Sequence, residues 1–263
     1  MDLKLAGKRA LICGGSSGLG RAVASALIVE GVDVALLARD PIKLQGVADA
    51  LNAAGGGRAF ALPADLADHQ ALLGAADRAE QVLGGHVEIL LNNTGGPPPS
   101  GVSGLEPSVW REHFESMVLS VFRLTDRVLP QMRTAGWGRI LNVASMTVVE
   151  PSAALGVSNT LRASIAAWAK ALANEVGPDG VTVNTLLPGR IDTPRIDRLD
   201  QATAARLGVS PEQARADSVK SIPVGRIGAP EEFGAVAAFL ASPLAAYVTG
   251  SLIRLDGGAI KSI

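Results

Sequence analysis

Cysteine and tyrosine are almost missing from this chain, each occurring once in 263 residues, and aromatic residues make up only 3%. With Cys13 as its sole cysteine the chain can form no internal disulfide, which fits a reducing cytoplasm. No uninterrupted apolar stretch approaches the ~18 residues of a membrane span, and no leader pattern precedes the first apolar run. Basic residues never cluster, and the net charge is −1, which argues against nucleic acid as the main partner. These absences lead to the expectation of a cytoplasmic protein with no membrane and no nucleic-acid partner. What is abundant is apolar residues, at 48%, and glycine, at 30 residues, enough for a large core and many tight turns. The length is ordinary for a single α/β domain, and no linker, repeat or low-complexity segment divides residues 1–263.

The most informative segment is Arg9–Gly20, RALICGGSSGLG, in which an apolar run breaks into four glycines within seven positions and then opens a helix. The apolar run reads as a buried parallel strand. Gly14 and Gly15 permit a tight turn, and Gly18 and Gly20 let backbone N–H groups at the helix start approach an anion. The helix continues as Arg21–Glu30 and stops at Gly31. Ser16, Ser17 and Leu19 lie between these glycines, and the order strand, glycines, helix is that of a dinucleotide pyrophosphate site.

Short β-rich runs alternate with amphipathic helical stretches along the rest of the chain. Strands are expected at Arg9–Cys13, Asp33–Ala38, Arg58–Leu62, Ile89–Asn92, Arg139–Val143, Val181–Leu187 and Ser251–Leu255. Helices are expected at Leu66–Leu83, Trp110–Met132, Ala154–Val176 and Glu231–Ala241. Such alternation implies right-handed crossovers and a parallel sheet with helices on both faces, an α/β doubly wound architecture. Thr193–Pro230 is polar, of mixed charge and the least regular region. At the carboxyl edge of the sheet it is either a substrate lid or a plain surface excursion.

The second strand ends Leu36-Leu37-Ala38-Arg39-Asp40-Pro41. An NAD site usually places a carboxylate here for the adenosine ribose, which Ala38 cannot supply. Arg39 suits a 2′-phosphate unless it is merely solvated, and Asp40 followed by Pro41 reads as a helix cap. The cofactor expectation is therefore NADP, with NAD left open. Asp65 either approaches the adenine or caps the next helix. Asn92 and Gly95, in Leu91-Asn-Asn-Thr-Gly-Gly96, offer a small-residue surface for a ribose. Pro188, Gly189, Ile191 and Thr193 close the sixth strand.

Taken together, CGGSSGLG, LLNNTGG, ILNVAS, VTVNTLLPGRIDT and YVTGSLIRLDGG resemble the short-chain dehydrogenase/reductase family over nearly the whole chain. The resemblance is closest to the branch of 3-oxoacyl-acyl-carrier-protein reductases. It implies a Rossmann fold with a seven-stranded parallel sheet and a homotetramer or dimer. It also assigns cofactor contacts to Gly14, Ser16, Leu19, Arg39, Asp65, Asn92, Ile191 and Thr193. Cys13 stands where the family usually has Thr, and Thr94 where it has Ala.

The same resemblance implies a catalytic Tyr and Lys one turn apart, an Asn on a neighbouring helix and a Ser at a strand end. Ser145 is present, but Leu155 stands at the Tyr position, Asn159 at the Lys and Met117 at the Asn. The chain's one tyrosine, Tyr247, is far away in sequence, and Lys170 lies eleven residues past Asn159, about 16 Å along a helix. A missing general acid costs ~10²–10⁴ in rate. Three side chains are candidate substitutes. Ser145 is a hydroxyl donor. His113, one turn before Met117, is either a donor or a partly exposed helix histidine. Arg162, three past Asn159, supplies either a fixed positive charge or a surface or interface salt bridge. Ser158 and Asn159 are the remaining ribose contacts.

The expected function is an NADP(H)-dependent oxidoreductase acting on a small carbonyl or alcohol substrate through an unusual proton donor, with Ser145 and Asn159 as catalytic residues and no metal. The alternatives are a cofactor-binding sensor or structural subunit without turnover, and a non-redox lyase or isomerase.

Overall fold

The computed structural model describes residues 1–263. Its elements in chain order are β1 (Arg9–Cys13), α1 (Gly18–Val29), β2 (Asp33–Ala38), α2 (Pro41–Ala54), β3 (Ala59–Pro63), α3 (His69–Leu83) and β4 (Ile89–Asn92). There follow α4 (Pro107–Phe114), α5 (Ser120–Ala135), β5 (Gly138–Val143), α6 (Gly156–Val176) and β6 (Val181–Pro188). The chain closes with α7 (Pro194–Leu207), α8 (Pro211–Val219), α9 (Pro230–Ala241) and β7 (Leu252–Leu255). The strands form one seven-stranded sheet in the order β3-β2-β1-β4-β5-β6-β7, every pairing parallel. This is the expected Rossmann-type architecture.

The central strands are apolar throughout because both faces of a parallel sheet are covered. Ala10 and Ile12 of β1 join Val23, Leu27 and Ile28 of α1 and Phe233 of α9 on one side. Leu11 and Cys13 join Leu72 and Ala76 of α3, Leu124 of α5 and Leu172 of α6 on the other. The period of two along β1 thus splits its side chains between two cores. The order reverses between β1 and β4, whose carboxyl ends open the crevice where ligands bind in such sheets.

Three expectations are corrected. The helix expected from Leu66 starts at His69: Asp65 accepts from Ala67 N–H at 3.0 Å in a turn, and Asp68 caps the helix by accepting from Ala71 N–H. The single helix expected over Trp110–Met132 is a helical run from Pro107 to Ala135 that contains a π turn at Glu115–Leu119. The region 193–230, expected to be irregular, carries α7 and α8. They bury few apolar side chains, Ile196 and Ala204 in α7 and Ala214 in α8, and ion pairs add support: Arg190 pairs with Asp200, and Arg215 with Asp192 and Asp197. No helix is long and apolar enough to cross a membrane.

Candidate active site

The turn from β1 to α1 is shaped by glycine. Gly14 and Gly18 have φ of +66° and +54°, a region L side chains rarely adopt. A Cβ on Gly20 would lie 2.3 Å from the carbonyl oxygen of Gly14, so the helix can start there only with glycine. Ser17 is the N-cap of α1 but makes no side-chain cap bond, and no acidic residue occupies the first turn. The first N–H groups of α1 thus keep the donors and dipole that suit a phosphate. Asn93 donates to Cys13 O at 3.2 Å, and its amide nitrogen would lie 2.6 Å from a Cβ at Gly14. Asn93 therefore braces the glycine turn, a role visible only once β4 and β1 are side by side. Cys13 is buried, which pushes its thiol up to about 12 against a hydrogen bond from Asn93, so it is chemically inert.

The other cofactor candidates ring the same edge. Arg39, at the end of β2, is exposed and makes no side-chain hydrogen bond or ion pair, while Asp40 is spent capping α2 through Ile42 and Lys43 N–H at 3.1 and 3.0 Å. Asp65 is exposed after β3 and does not cap α3. Asn92 is buried: its Nδ2 donates to Thr125 and Asn142, and its Oδ1 is enclosed without a partner. Gly95 is exposed in open space beyond β4. At the end of β6, Gly189 would place a Cβ 2.7 Å from Asp256 Cα, and Ile191 is buried and bridged to Gly228. Thr193 lies over the cradle, its side chain 3.4 Å from a Cβ built on Gly18.

Ser145 follows β5. Its Oγ accepts hydrogen bonds from Thr147 N at 3.2 Å and from Thr147 Oγ1 at 2.9 Å. Either hydroxyl can donate in the Oγ1–Oγ contact; when Thr147 donates, the serine's own proton is free for another acceptor. Thr147, buried and two residues on, carried no signal in the sequence. Leu155 is tethered to the segment after β4: Ser100 N–H donates to Ala154 O at 2.9 Å, and Gly156 N–H to Ser100 O at 2.7 Å. Asn159 is 8% exposed; its Nδ2 donates to Ser152 O at 2.7 Å, whereas its Oδ1 is buried with no partner. An acceptor enclosed and left unpaired in this way is costly.

Arg162, one helical turn beyond Asn159, is half-buried and donates from Nη1 to Val143 O at 2.8 Å and Ala144 O at 3.0 Å. It forms no salt bridge within the chain. Arg195, near the start of α7, reaches Gly96 O and Pro97 O at 3.3–3.4 Å and likewise has no carboxylate partner. Burial and the nearby Arg195 pull the Arg162 guanidinium down to about 10, and burial and Arg198 lower that of Arg195. His113 is half-buried and its imidazole makes no hydrogen bond. Met117 lies in the π turn, in an apolar cluster with Val157, Leu161 and Ile165. The turn breaks the regular spacing that would align His113 with Met117. Lys170 lies against Gly250, and Tyr247 is fully exposed after α9. A cavity of about 440 Å³ beside β7 has Ile191, Phe233 and Leu255 in its wall but neither Ser145 nor Asn159.

Sheet order, glycine cradle and uncapped α1 define a dinucleotide-binding α/β protein. Residues 14–259 match the family described as enoyl-(acyl carrier protein) reductase. The chain belongs to the short-chain dehydrogenase/reductase family. It is 32% identical over 256 residues to the 3-oxoacyl-acyl-carrier-protein reductase of Vibrio cholerae, covering 97% of this chain and 98% of that one. It is 32% identical over 251 residues to nodulation protein G of Azospirillum brasilense, covering 95% and 97%. Among solved structures, the L-sorbose reductase of Gluconobacter frateurii, complexed with NADPH and L-sorbose, superposes with a TM-score of 0.93 at 30% identity over 100% of both chains. YwfH, an NADPH-dependent reductase involved in bacilysin biosynthesis, superposes at 0.91 and 28% identity, covering 97% of this chain and 100% of that one.

Proposed function

We propose that this protein is an NADP(H)-dependent oxidoreductase that interconverts a carbonyl and an alcohol, with the Ser145 hydroxyl as proton donor in place of the family's tyrosine. The observation that carries the reading is the pair of hydrogen bonds from Thr147 to Ser145 Oγ. They leave the serine proton for the reacting oxygen and strengthen it as a donor, since an oxygen that accepts gives up its own proton more readily.

In this reading the nucleotide fits the cradle built from Gly14, Ser16, Ser17, Gly18, Leu19 and Gly20. Arg39 takes the 2′-phosphate, Asp65 lies near the adenine, and the backbone of Asn92 and Gly95 meets the ribose. Pro188, Gly189, Ile191 and Thr193 flank the nicotinamide, and Ser158 and Asn159 lie on the side of its ribose. The bound cofactor supplies or receives the hydride at carbon. Ser145 gives its proton to the oxygen as negative charge grows there, Thr147 Oγ1 returns a proton to Ser145, and water restores Thr147. Leu155 can neither donate nor ionise, so it only walls the pocket. Arg162, beneath the last carbonyls of β5, provides the fixed positive charge that the lysine position lacks.

We read residues 193–230 as a substrate lid within a single domain. Exposed Phe239, Leu244, Tyr247 and Leu252 favour assembly into a dimer or tetramer. The second reading, a cofactor-binding protein without turnover, is favoured by the apolar side chains of Leu155 and Met117 and by the apolar cluster around Met117. Two assays decide: NADPH fluorescence titration for binding, and absorbance at ~340 nm with a panel of carbonyls for turnover. The proposal expects both to be positive. Binding with no turnover on any carbonyl supports the second reading.

A further inference from the structure

Resting on that reading, we propose that Arg162 and Arg195 bind a carboxylate on the substrate, adjacent to the carbonyl or carbinol that reacts, so that the substrate class is a small oxo or hydroxy acid. The two guanidiniums approach the site from opposite structural origins. Arg162 reaches from α6 onto the carbonyls of Val143 and Ala144, the two residues that lead into Ser145. Arg195 reaches from α7 onto Gly96 and Pro97, just past the end of β4. Since β4 and β5 pair directly, at the ~4.8 Å spacing of neighbouring strands, the two cations flank the same strand exits as Ser145.

Neither has a countercharge. The acidic side chains nearest Arg195 in sequence are committed, Asp200 to Arg190 and to Arg215, Asp192 and Asp197 to Arg215. Arg198, next along α7, adds positive charge rather than cancelling it. Arg162 spends only Nη1 on backbone carbonyls; its Nε and Nη2 make no bond and are not among the sealed, unpaired polar atoms. That free edge is the fork that takes a carboxylate in two parallel hydrogen bonds. Two partly buried cations that repel one another raise the free energy of the empty site, and an anion held between them lowers it.

The test uses oxamate, an unreactive acid with a carbonyl beside its carboxylate, and oxamide, its neutral counterpart, each titrated calorimetrically into the protein saturated with NADPH. The expected result is binding of oxamate at least about tenfold tighter than oxamide. Arg162→Met and Arg195→Met should each weaken oxamate by about tenfold or more while NADPH affinity stays within about threefold. Arg162→Lys, which keeps the charge and loses the fork, guards against a folding defect in the methionine variant and should weaken oxamate while melting normally. Equal binding of the two probes overturns the proposal, as does undiminished oxamate binding in well-folded variants. Weakened NADPH with unchanged oxamate in Arg195→Met also overturns it, because Arg195 then serves the cofactor's phosphates. A protein that takes up no NADPH at all defeats the underlying reading instead, and that outcome is seen before either probe is added.

Discussion

Thr147 grips Ser145 twice, through its backbone N–H at 3.2 Å and its hydroxyl at 2.9 Å, so the serine at the end of β5 is oriented by its own neighbour. Removing the hydroxyl while keeping shape and backbone separates the two contacts. Thr147→Val is expected to lower kcat by about tenfold and leave NADPH affinity unchanged, as befits a residue that acts through the serine. An unaltered kcat on steady-state assay assigns Thr147 a purely structural part.

Gly20 should be irreplaceable for cofactor uptake. Alanine there sets its Cβ 2.3 Å from Gly14 O and 2.9 Å from Cys13 O, backbone atoms that cannot move aside. Fluorescence titration of Gly20→Ala should show NADPH affinity reduced by about 100-fold or more, a loss of ~3 kcal/mol. Gly46, in α2 with nothing within 4 Å of a built Cβ, serves as the control, and Gly46→Ala should bind as wild type.

Coenzyme choice should turn on Arg39. It is exposed and unpaired at the end of β2, and Asp40 is occupied by the α2 cap. Arg39→Asp is expected to shift the ratio of NADPH to NADH affinity by at least about tenfold toward NADH, through loss of a phosphate partner and gain of a ribose acceptor. An unchanged ratio assigns the 2′-position to other residues.

Acid stability should depend on Glu88, which precedes β4 and is almost fully buried. Burial alone raises its carboxyl, but hydrogen bonds from Lys8 and Arg9 at 2.8 and 3.0 Å outweigh that and hold it below the usual carboxylate range. A lowered folded-state value means the stabilisation is present above the unfolded value, near pH ~4.3, and disappears as pH falls through the folded one. Glu88→Gln should cost roughly 1–3 kcal/mol at neutral pH, and the difference from wild type should shrink as pH falls below the ordinary carboxylate range. Thermal melts across that range supply the check.

Much of the fold was written in local pattern. The bounds of β1, β2 and β4 coincide with apolar runs closed by glycine or polar residues, because strands buried on both faces tolerate nothing else. The glycine turn was equally legible, since positive φ and close approach both select glycine. What sequence hid depends on distance. Helices α7 and α8 bury few apolar side chains and add ion pairs to them, although Thr193-Pro194 and Ser210-Pro211 were start signals in plain view. The partners of the Asn92 amide nitrogen, Thr125 and Asn142, lie far along the chain and give no sign of themselves beside it in sequence. Arg162 on its helix face looks like a salt-bridge residue. Only the packing of α6 against β5 delivers its guanidinium to two backbone carbonyls with no acid in reach.

The most direct test of the account is a comparison of wild type with Ser145→Ala, each saturated with NADPH and followed near ~340 nm against a panel of carbonyl compounds that includes oxo acids. The account predicts that wild type oxidises NADPH with at least one of them and that Ser145→Ala loses ~10²–10⁴ of that rate with its NADPH affinity intact. Equal rates in the two proteins, or a wild type that holds NADPH and leaves every carbonyl unreduced, would contradict it.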